Sequence, residues 1–316
     1  MTTEKEQYIT FASSRPDIPV FYTPQWLDAV TQRAWDVVCA YDQGGNINAF
    51  MPVTIKKKWG IKIFTNPLLT PYQGIFFCND TIYDKEESLQ SYRKDCTDQI
   101  ICKLGKQHFF KINFHPDYTF WLPFYFHGYR QTTYYSYILD NIKDHDAIFS
   151  GFRSNIKNKI RKAEGVLMLE ETSDIELLYG LNQKTFEKQS LRIPFSKALL
   201  KEIIQVAGQQ HKILMARDTG GNIHAAQLII WDQRSAYNLL LGTDPALRQS
   251  GAAPFLMWHA IRIASLYTNK FDFEGSRLPA IQPFFESFGA HPVPYCQIYQ
   301  TKNILWEYFF RKTNRL

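Results

Sequence analysis

Apolar and polar positions recur along the chain in blocks whose order is clearest in its second half. Residues 167–172 alternate as a short strand, and Ser173-Asp174-Ile175-Glu176 has the form of a capping box opening a helix with Ile175, Leu178 and Leu181 on one face. After Pro194, Ser196 is placed to cap a second helix ending near Gly208. Residues 212–218 (KILMARD) and 223–232 read as antiparallel strands about the turn Thr219-Gly220-Gly221-Asn222, and 235–242 (SAYNLLLG) reads as a third strand. A loop over 243–250 leads into a long apolar helix, 251–268. A strand at 271–275, a helix at 279–288 and a strand at 293–300 follow, so the predicted order is βαα-βββ-αβ-αβ.

The first half repeats this order in weaker form. Thr23 caps a helix that runs through Val30 with Pro24 at its first position. Strands at 35–42 and 47–55 flank Gln43-Gly44-Gly45-Asn46, and a strand at 73–78, a helix at 86–104 and strands at 108–114 and 134–139 follow. The turns QGGN and TGGN each separate a strand ending in Asp from one beginning with Ile, which marks an internal repeat. Residues 149–164 (FSGFRSNIKNKIRKAE) read as a basic linking helix. The expected division is therefore 1–148 and 149–316. The expected fold class is α/β (α+β), with two tandem units, each a mixed, mostly antiparallel sheet flanked by helices.

A length of 316 residues accommodates two domains, and 45% hydrophobic with 21% charged residues is the balance of a globular protein with a core. The formal net charge of +6 permits an anionic ligand such as a coenzyme or tRNA but falls short of a DNA-binding footprint, so no DNA partner is expected. The five cysteines are widely spaced and form no CxxC, so neither a disulfide framework nor a metal site is expected, and they read as buried hydrophobes in a reducing compartment. The amino terminus lacks the pattern of a signal peptide. The most apolar run, 118–129 (YTFWLPFYFHGY), is too short for a membrane span and contains Pro123, so a cytoplasmic protein without a transmembrane segment is expected.

The element order, with Arg248-Gln249-Ser250-Gly251-Ala252-Ala253 between a strand and a long helix, resembles the GNAT acyltransferase superfamily. The basic IKNKIRKAEG, the segment LLLGTDPALRQSGAAPFLMWHAIRIA, and FDFEGS followed by FFESFGA are similar to the Fem-like peptidyltransferases and their acetyltransferase relatives. The resemblance implies an acyltransferase that moves an acyl group from acetyl-coenzyme A, or another acyl-coenzyme A, to an amine acceptor. Its Fem-like part implies the alternative of an amino acid carried from aminoacyl-tRNA to a peptidoglycan precursor. The helical hairpin that some Fem proteins insert in the second unit has no room here. A non-catalytic binding protein on the same scaffold is a third reading.

Physical reasoning points to the same loop. A coenzyme A pyrophosphate needs several N–H donors aimed at one point, and a helix start supplies them with its positive dipole end. Gly251 lets the backbone approach the anion, Ala252 and Ala253 keep that approach open, and Arg248 adds a charged contact. On this argument Gly251→Val abolishes coenzyme binding and leaves the fold intact. The first half offers no such loop, since 78–86 (CNDTIYDKE) is acidic and without glycine.

For the chemistry, Asp272 and Glu274 share one face of the 271–275 strand and could act as a general base and its orienter, in either order, or as helix caps paired with Arg277. Tyr237 is a candidate proton donor to a leaving thiolate or a packed aromatic, and His259 reads as a core histidine. Arg153, Lys157 and Arg161 recur at i, i+4 and i+8, widened by Lys159 and Lys162. That stripe could hold the phosphates of an acceptor or of a tRNA end, or form a solvated face. Residues 306–316 (WEYFFRKTNRL) read as packed on the core or touching a membrane surface.

Overall fold

The computed structural model describes residues 2–58, 61–105, 108–275 and 281–301; Arg277 and the 306–316 segment lie outside them. The chain divides into two compact units, Met1–Tyr134 joined by the chain from Pro294, and Tyr135–Val293.

The first unit opens with α1 (Glu4–Ser13) and α2 (Pro24–Thr31), then β1 (Trp35–Tyr41), β2 (Ile47–Lys58), β3 (Ile61–Thr65) and β4 (Phe76–Phe77). α3 (Glu86–Leu104), β5 (Phe109–Asn113), α4 (Leu122–Phe126) and the start of β6 (Arg130–Asp140) follow. Thr23 caps α2 through its side chain with Pro24 in the first turn. α3 spans the residues read from the sequence because Cys96, Ile100 and Leu104 repeat on one buried face and Glu86, Glu87 and Lys103 complement the helix dipole. α1 has a very weak amphipathic pattern and was not foreseen; it is fixed by a capping box, Thr3 with Glu6, and by its one buried residue, Tyr8.

The second unit continues with α5 (His145–Gly151), α6 (Ser154–Glu164), β7 (Leu167–Glu171), α7 (Ile175–Lys188), α8 (Lys197–Ala207), β8 (His211–Asp218), β9 (Ile223–Trp231) and β10 (Ala236–Thr243). A 3-10 segment, Pro245–Ser250, precedes α9 (Ala252–Ala264), β11 (Lys270–Asp272), α10 (Gln282–Glu286) and β12 (His291–Thr301). Its strands run β6-β11-β10-β9-β8-β7, and only β10–β11 is parallel among them. The boundary falls at Tyr134/Tyr135, ahead of 148/149, because Ile138–Asp140 pair with β11. The far end of β12 returns to the first unit, where Gln297–Thr301 pair with β5.

The linking helix proves to be two helices. Phe152 and Arg153 are extended between α5 and α6, and this break sends Phe152 into the core against Trp258 and Phe288, with ring centroids 5.3 and 5.0 Å away. Asp174, rather than Ser173, caps α7 by accepting from the Leu177 N–H at 3.0 Å. Of the cysteines, Cys39 and Cys96 are buried, Cys78 and Cys296 partly so, and Cys102 is exposed.

The internal repeat is reproduced bond for bond. Asp42 Oδ1 accepts from the Asn46 N–H at 2.8 Å and Asp218 Oδ1 from the Asn222 N–H at 2.9 Å. Gly45 and Gly221 take left-handed φ of 81° and 84°, which an L-residue with a Cβ adopts at a cost. Each hairpin carries a bulge at the same place, Ala40/Tyr41 in one and Ala216/Arg217 in the other. Farther on, the Cys78 N–H donates to Asn48 O at 2.8 Å and the Asp244 N–H to His224 O at 2.9 Å.

Candidate active site

A cavity of about 750 Å³ lies in the second unit, within the size range of small-molecule and cofactor sites. Its origin is a splay between parallel strands. β10 and β11 pair only at Ala236↔Phe271 and Tyr237↔Asp272, after which β11 ends while β10 continues to Thr243. The facing edge of β10 then has no strand partner among the described residues, and Asn238–Leu241 and Thr243 line the opening. A bulge between Asn238 and Leu240 turns consecutive residues toward it.

The end of the cavity is built by the loop singled out from the sequence. Arg248, Gln249, Ser250, Gly251, Ala252 and Ala253 all line it, together with Lys159 of α6. The first-turn N–H groups of α9 have no acceptor within the helix. That of Ala252 reaches Ser250 Oγ at 3.3 Å. Gly251 has a different reason to be glycine from the one first argued. Its φ is +77°, and a Cβ there would stand 3.0 Å from the Lys159 carbonyl and 3.6 Å from Ala163 Cβ. A side chain at 251 therefore strains α9 against α6, so Gly251→Val damages the fold and does not isolate ligand contact.

The carboxylates are arranged differently from a strand face. β11 stops at Asp272, and Glu274 sits beyond it at a left-handed φ of +63°, uncommon for a residue with a Cβ. Asp272 is buried, and its Oδ1 accepts from Ser136 Oγ and, at 2.7 Å, from the Glu274 N–H. Gly275 follows at φ +60°, so close to the Tyr135 backbone that a Cβ would fall 2.3 Å from its carbonyl oxygen. These contacts hold Glu274 at the cavity wall, with Oε1 buried and without a hydrogen-bond partner. Burial, aided by the neighbouring Asp272 charge, pushes the Glu274 carboxyl well above the ordinary glutamate range.

Other expected residues are elsewhere. Tyr237 lies where β10 is paired on both sides; it is fully buried, its hydroxyl donates to Asp232 Oδ2 at 3.4 Å, and it does not line the cavity. His259 packs edge-on to Phe255 at 4.6 Å, and burial with the nearby Arg262 pulls its imidazole down to about 4. Arg153, Lys157 and Arg161 of the basic stripe do not line the cavity and make contacts elsewhere in the second unit. Arg153 is the cap of α6 and lies 3.4 Å from Glu286, Lys157 donates to Ser150 O at 2.6 Å, and Arg161 stands over the Phe149 ring at 5.8 Å.

Residues with no motif also reach the cavity: Asn182, Thr185 and Phe186 from α7, and His224 from β9. α7 lies close to β10 at Gly242, where a Cβ would be 2.5 Å from the Asn182 nitrogen. Gly242→Ala is expected to lower stability by about 1–3 kcal/mol, the usual cost of overpacking. A melting scan checks this, and an unchanged transition would show that α7 is not seated so tightly.

The first unit offers a comparison at the matching place. Where β9 and β10 pair Ala226 with Gly242, β2 and β4 pair Phe50 with Phe76. These rings stack at 5.1 Å and pack with Tyr8 and Tyr22. α3 carries Glu86 and Glu87 in its first turn, which disfavours an anion there.

Residues 150–276 match the family described as Acetyltransferase (GNAT) domain. No curated protein matches the chain. Among solved structures it is similar to FemX, at 11% identity and a TM-score of 0.69, over 94% of this chain and 96% of that one. It is also similar to the C-terminal domain (DUF2156) of a putative lysylphosphatidylglycerol synthetase from Agrobacterium fabrum, at 14% identity and a TM-score of 0.56, over 94% and 93%. A conserved protein of unknown function from Bacteroides thetaiotaomicron has 10% identity and a TM-score of 0.51, over 87% and 91%. Residues 150–276 carry a GNAT acetyltransferase domain, which makes the protein an acyltransferase. It comprises two GNAT-like units and shares the fold of the Fem-like group.

Proposed function

We propose that the second unit transfers an acyl group from an acyl-coenzyme A to an amine. The observation that carries this reading is the meeting, in one cavity, of the α9 amino terminus with Arg248, the unpaired edge of β10 and the buried carboxyl of Glu274. The helix start and Arg248 take the pyrophosphate. The β10 edge offers backbone groups to the amides of an extended pantetheine arm, as an unpaired strand edge does to a peptide. The acceptor nitrogen attacks the thioester carbonyl and forms the C–N bond. Glu274, as carboxylate, accepts the proton that nitrogen loses, and the C–S bond breaks to release coenzyme A thiolate, which takes a proton from solvent. Asp272 orients Glu274 through its backbone N–H. The aromatic filling of the first unit supports donor binding in the second unit alone.

The likeness to FemX across nearly the whole chain favours a second reading, in which the donor is an aminoacyl ester on tRNA and the acceptor a peptidoglycan precursor. Melting scans with acetyl-coenzyme A and with a 3′-aminoacylated RNA minihelix separate the two. At a hundred times its Kd a ligand stabilises by about 2.7 kcal/mol. Acetyl-coenzyme A is expected to raise the transition, and thiol release with an amine panel then identifies turnover. A rise with the minihelix alone would replace the first reading with the second.

A further inference from the structure

One buried amide in the second unit is only half used. Gln227 of β9 is fully buried, and its Oε1 has no hydrogen-bond partner. A buried acceptor left unpaired costs about 1–3 kcal/mol. Its Nε2 makes two contacts, to Asn238 Oδ1 of β10 at 2.8 Å and to Met257 Sδ of α9 at 3.4 Å. These contacts orient both amides. A thioether has no hydrogen to give, so the Gln227 atom facing Met257 is the nitrogen, and Asn238 turns its oxygen toward that N–H.

The orientation leaves Asn238 with a donor to spare. Asn238 is partly exposed and lines the cavity. With Oδ1 committed to Gln227, its Nδ2 has no hydrogen-bond partner among the described residues. Sheet register places this donor. Tyr237↔Asp272 is the last pair of the parallel strands β10 and β11, and both chains leave it in the same direction. Asn238 is the first residue past that pair on β10, Glu274 the second past it on the other chain, and both line the cavity. The loop carrying Arg248 and Gly251 follows the other end of β10, Thr243, about 13–16 Å from Asn238 at the usual rise per residue. An arm extended along the β10 edge from an anion at the α9 start therefore brings its reacting carbonyl to Asn238 and Glu274.

We propose that Asn238, oriented by Gln227, donates an Nδ2–H to the carbonyl oxygen of the acyl donor and to the oxyanion formed when the amine attacks. The inference rests on the acyl-transfer reading of this cavity and adds to it the group that meets the developing charge. The hydrogen stays on nitrogen throughout. Negative charge gathers on the oxygen as the C–N bond forms and departs with the thiolate as the C–S bond breaks. Gln227 touches no substrate and is a positioning residue.

Isotope-edited infrared spectroscopy of acetyl-coenzyme A, labelled with carbon-13 at the thioester carbonyl, tests this without an acceptor. The carbonyl band is expected at lower frequency on the unchanged protein than on Asn238→Ala, because a hydrogen bond to the oxygen weakens the C=O bond. Asn238→Asp keeps the shape and the bond from Gln227 but has no N–H, and should raise the band as alanine does. Asn238→Ala should bind acetyl-coenzyme A about two- to tenfold more weakly, the worth of one hydrogen bond. Free coenzyme A, which has no acyl carbonyl, should bind both proteins alike. Gln227→Leu removes the orphan acceptor, so its melting temperature should hold or rise while the band moves toward that of Asn238→Ala. A lowered band that survives both Asn238 variants would give the contact to other groups, such as the backbone of the bulge, and overturn the assignment. A band unmoved in Gln227→Leu would overturn the orienting role of Gln227. No binding of acetyl-coenzyme A to the unchanged protein would instead overturn the coenzyme reading, and this contact with it.

Discussion

Glu274→Gln is expected to lower kcat by about 10²–10⁴-fold, the usual contribution of a positioned general base, and to make the protein more stable at neutral pH. The two effects share one cause. Burial and the Asp272 charge raise the folded-state pKa of Glu274 above its unfolded value of about 4.3. Its contribution to stability is then fully present below the unfolded pKa and is lost as pH rises through the folded one, because the folded state must expose a buried charge or carry it unpaired. Glutamine keeps the shape and never ionises, so its melting temperature should exceed that of the unchanged protein above the folded pKa and approach it in acid. In the unchanged enzyme kcat should fall on the acid side at a pH above the ordinary glutamate range, and this limb should vanish in the variant. An unaltered kcat, or an acid limb that persists in Glu274→Gln, would remove the residue from the chemistry.

How much of this was legible in the sequence follows from which forces act locally. The second unit's element order was readable because its strands alternate and its helices carry local caps, such as Ser196 on α8, whose side chain accepts from the Leu199 N–H at 3.2 Å. The hairpin repeat was readable because QGGN and TGGN impose left-handed glycines and the same Asp–Asn bonds. The short β11 was not, because Phe271, Asp272 and Phe273 alternate as a strand does, yet the Asp272 carboxylate captures the Glu274 N–H and ends the ladder. Nor could spacing show that Phe152 would break the basic helix to fill the core, or that this would leave Lys159 as the α6 cation lining the cavity. The loop of 248–253 was found because it combines local signals, a glycine and small residues before a long apolar helix. His224 and Asn182 carry no such signal, being brought to the cavity by sheet register and helix packing between distant residues.

Ala253→Asp is expected to cut acetyl-coenzyme A affinity at least tenfold while leaving the melting temperature unchanged or higher. Ala253 occupies the second position of α9 and lines the cavity, so a carboxylate there lies beside the N–H groups assigned to the pyrophosphate. The same charge serves the fold, since an acidic residue in the first turn of a helix stabilises it by about 0.3–1 kcal/mol. Affinity and stability therefore move in opposite directions, which Gly251→Val cannot achieve because its new side chain meets the Lys159 carbonyl. Two like charges about 4 Å apart repel by about 4 kcal/mol at an effective dielectric of 20, ample for a tenfold loss after solvent relaxation. Ala253→Ser adds a small hydroxyl without a charge and should bind nearly as the unchanged protein does, which separates repulsion from bulk. Calorimetric titration of both variants, with melting scans on the same samples, supplies the comparison. Equal affinity of Ala253→Asp and the unchanged protein would mean that the pyrophosphate does not sit at the start of α9, and the donor site would have to be sought away from that loop.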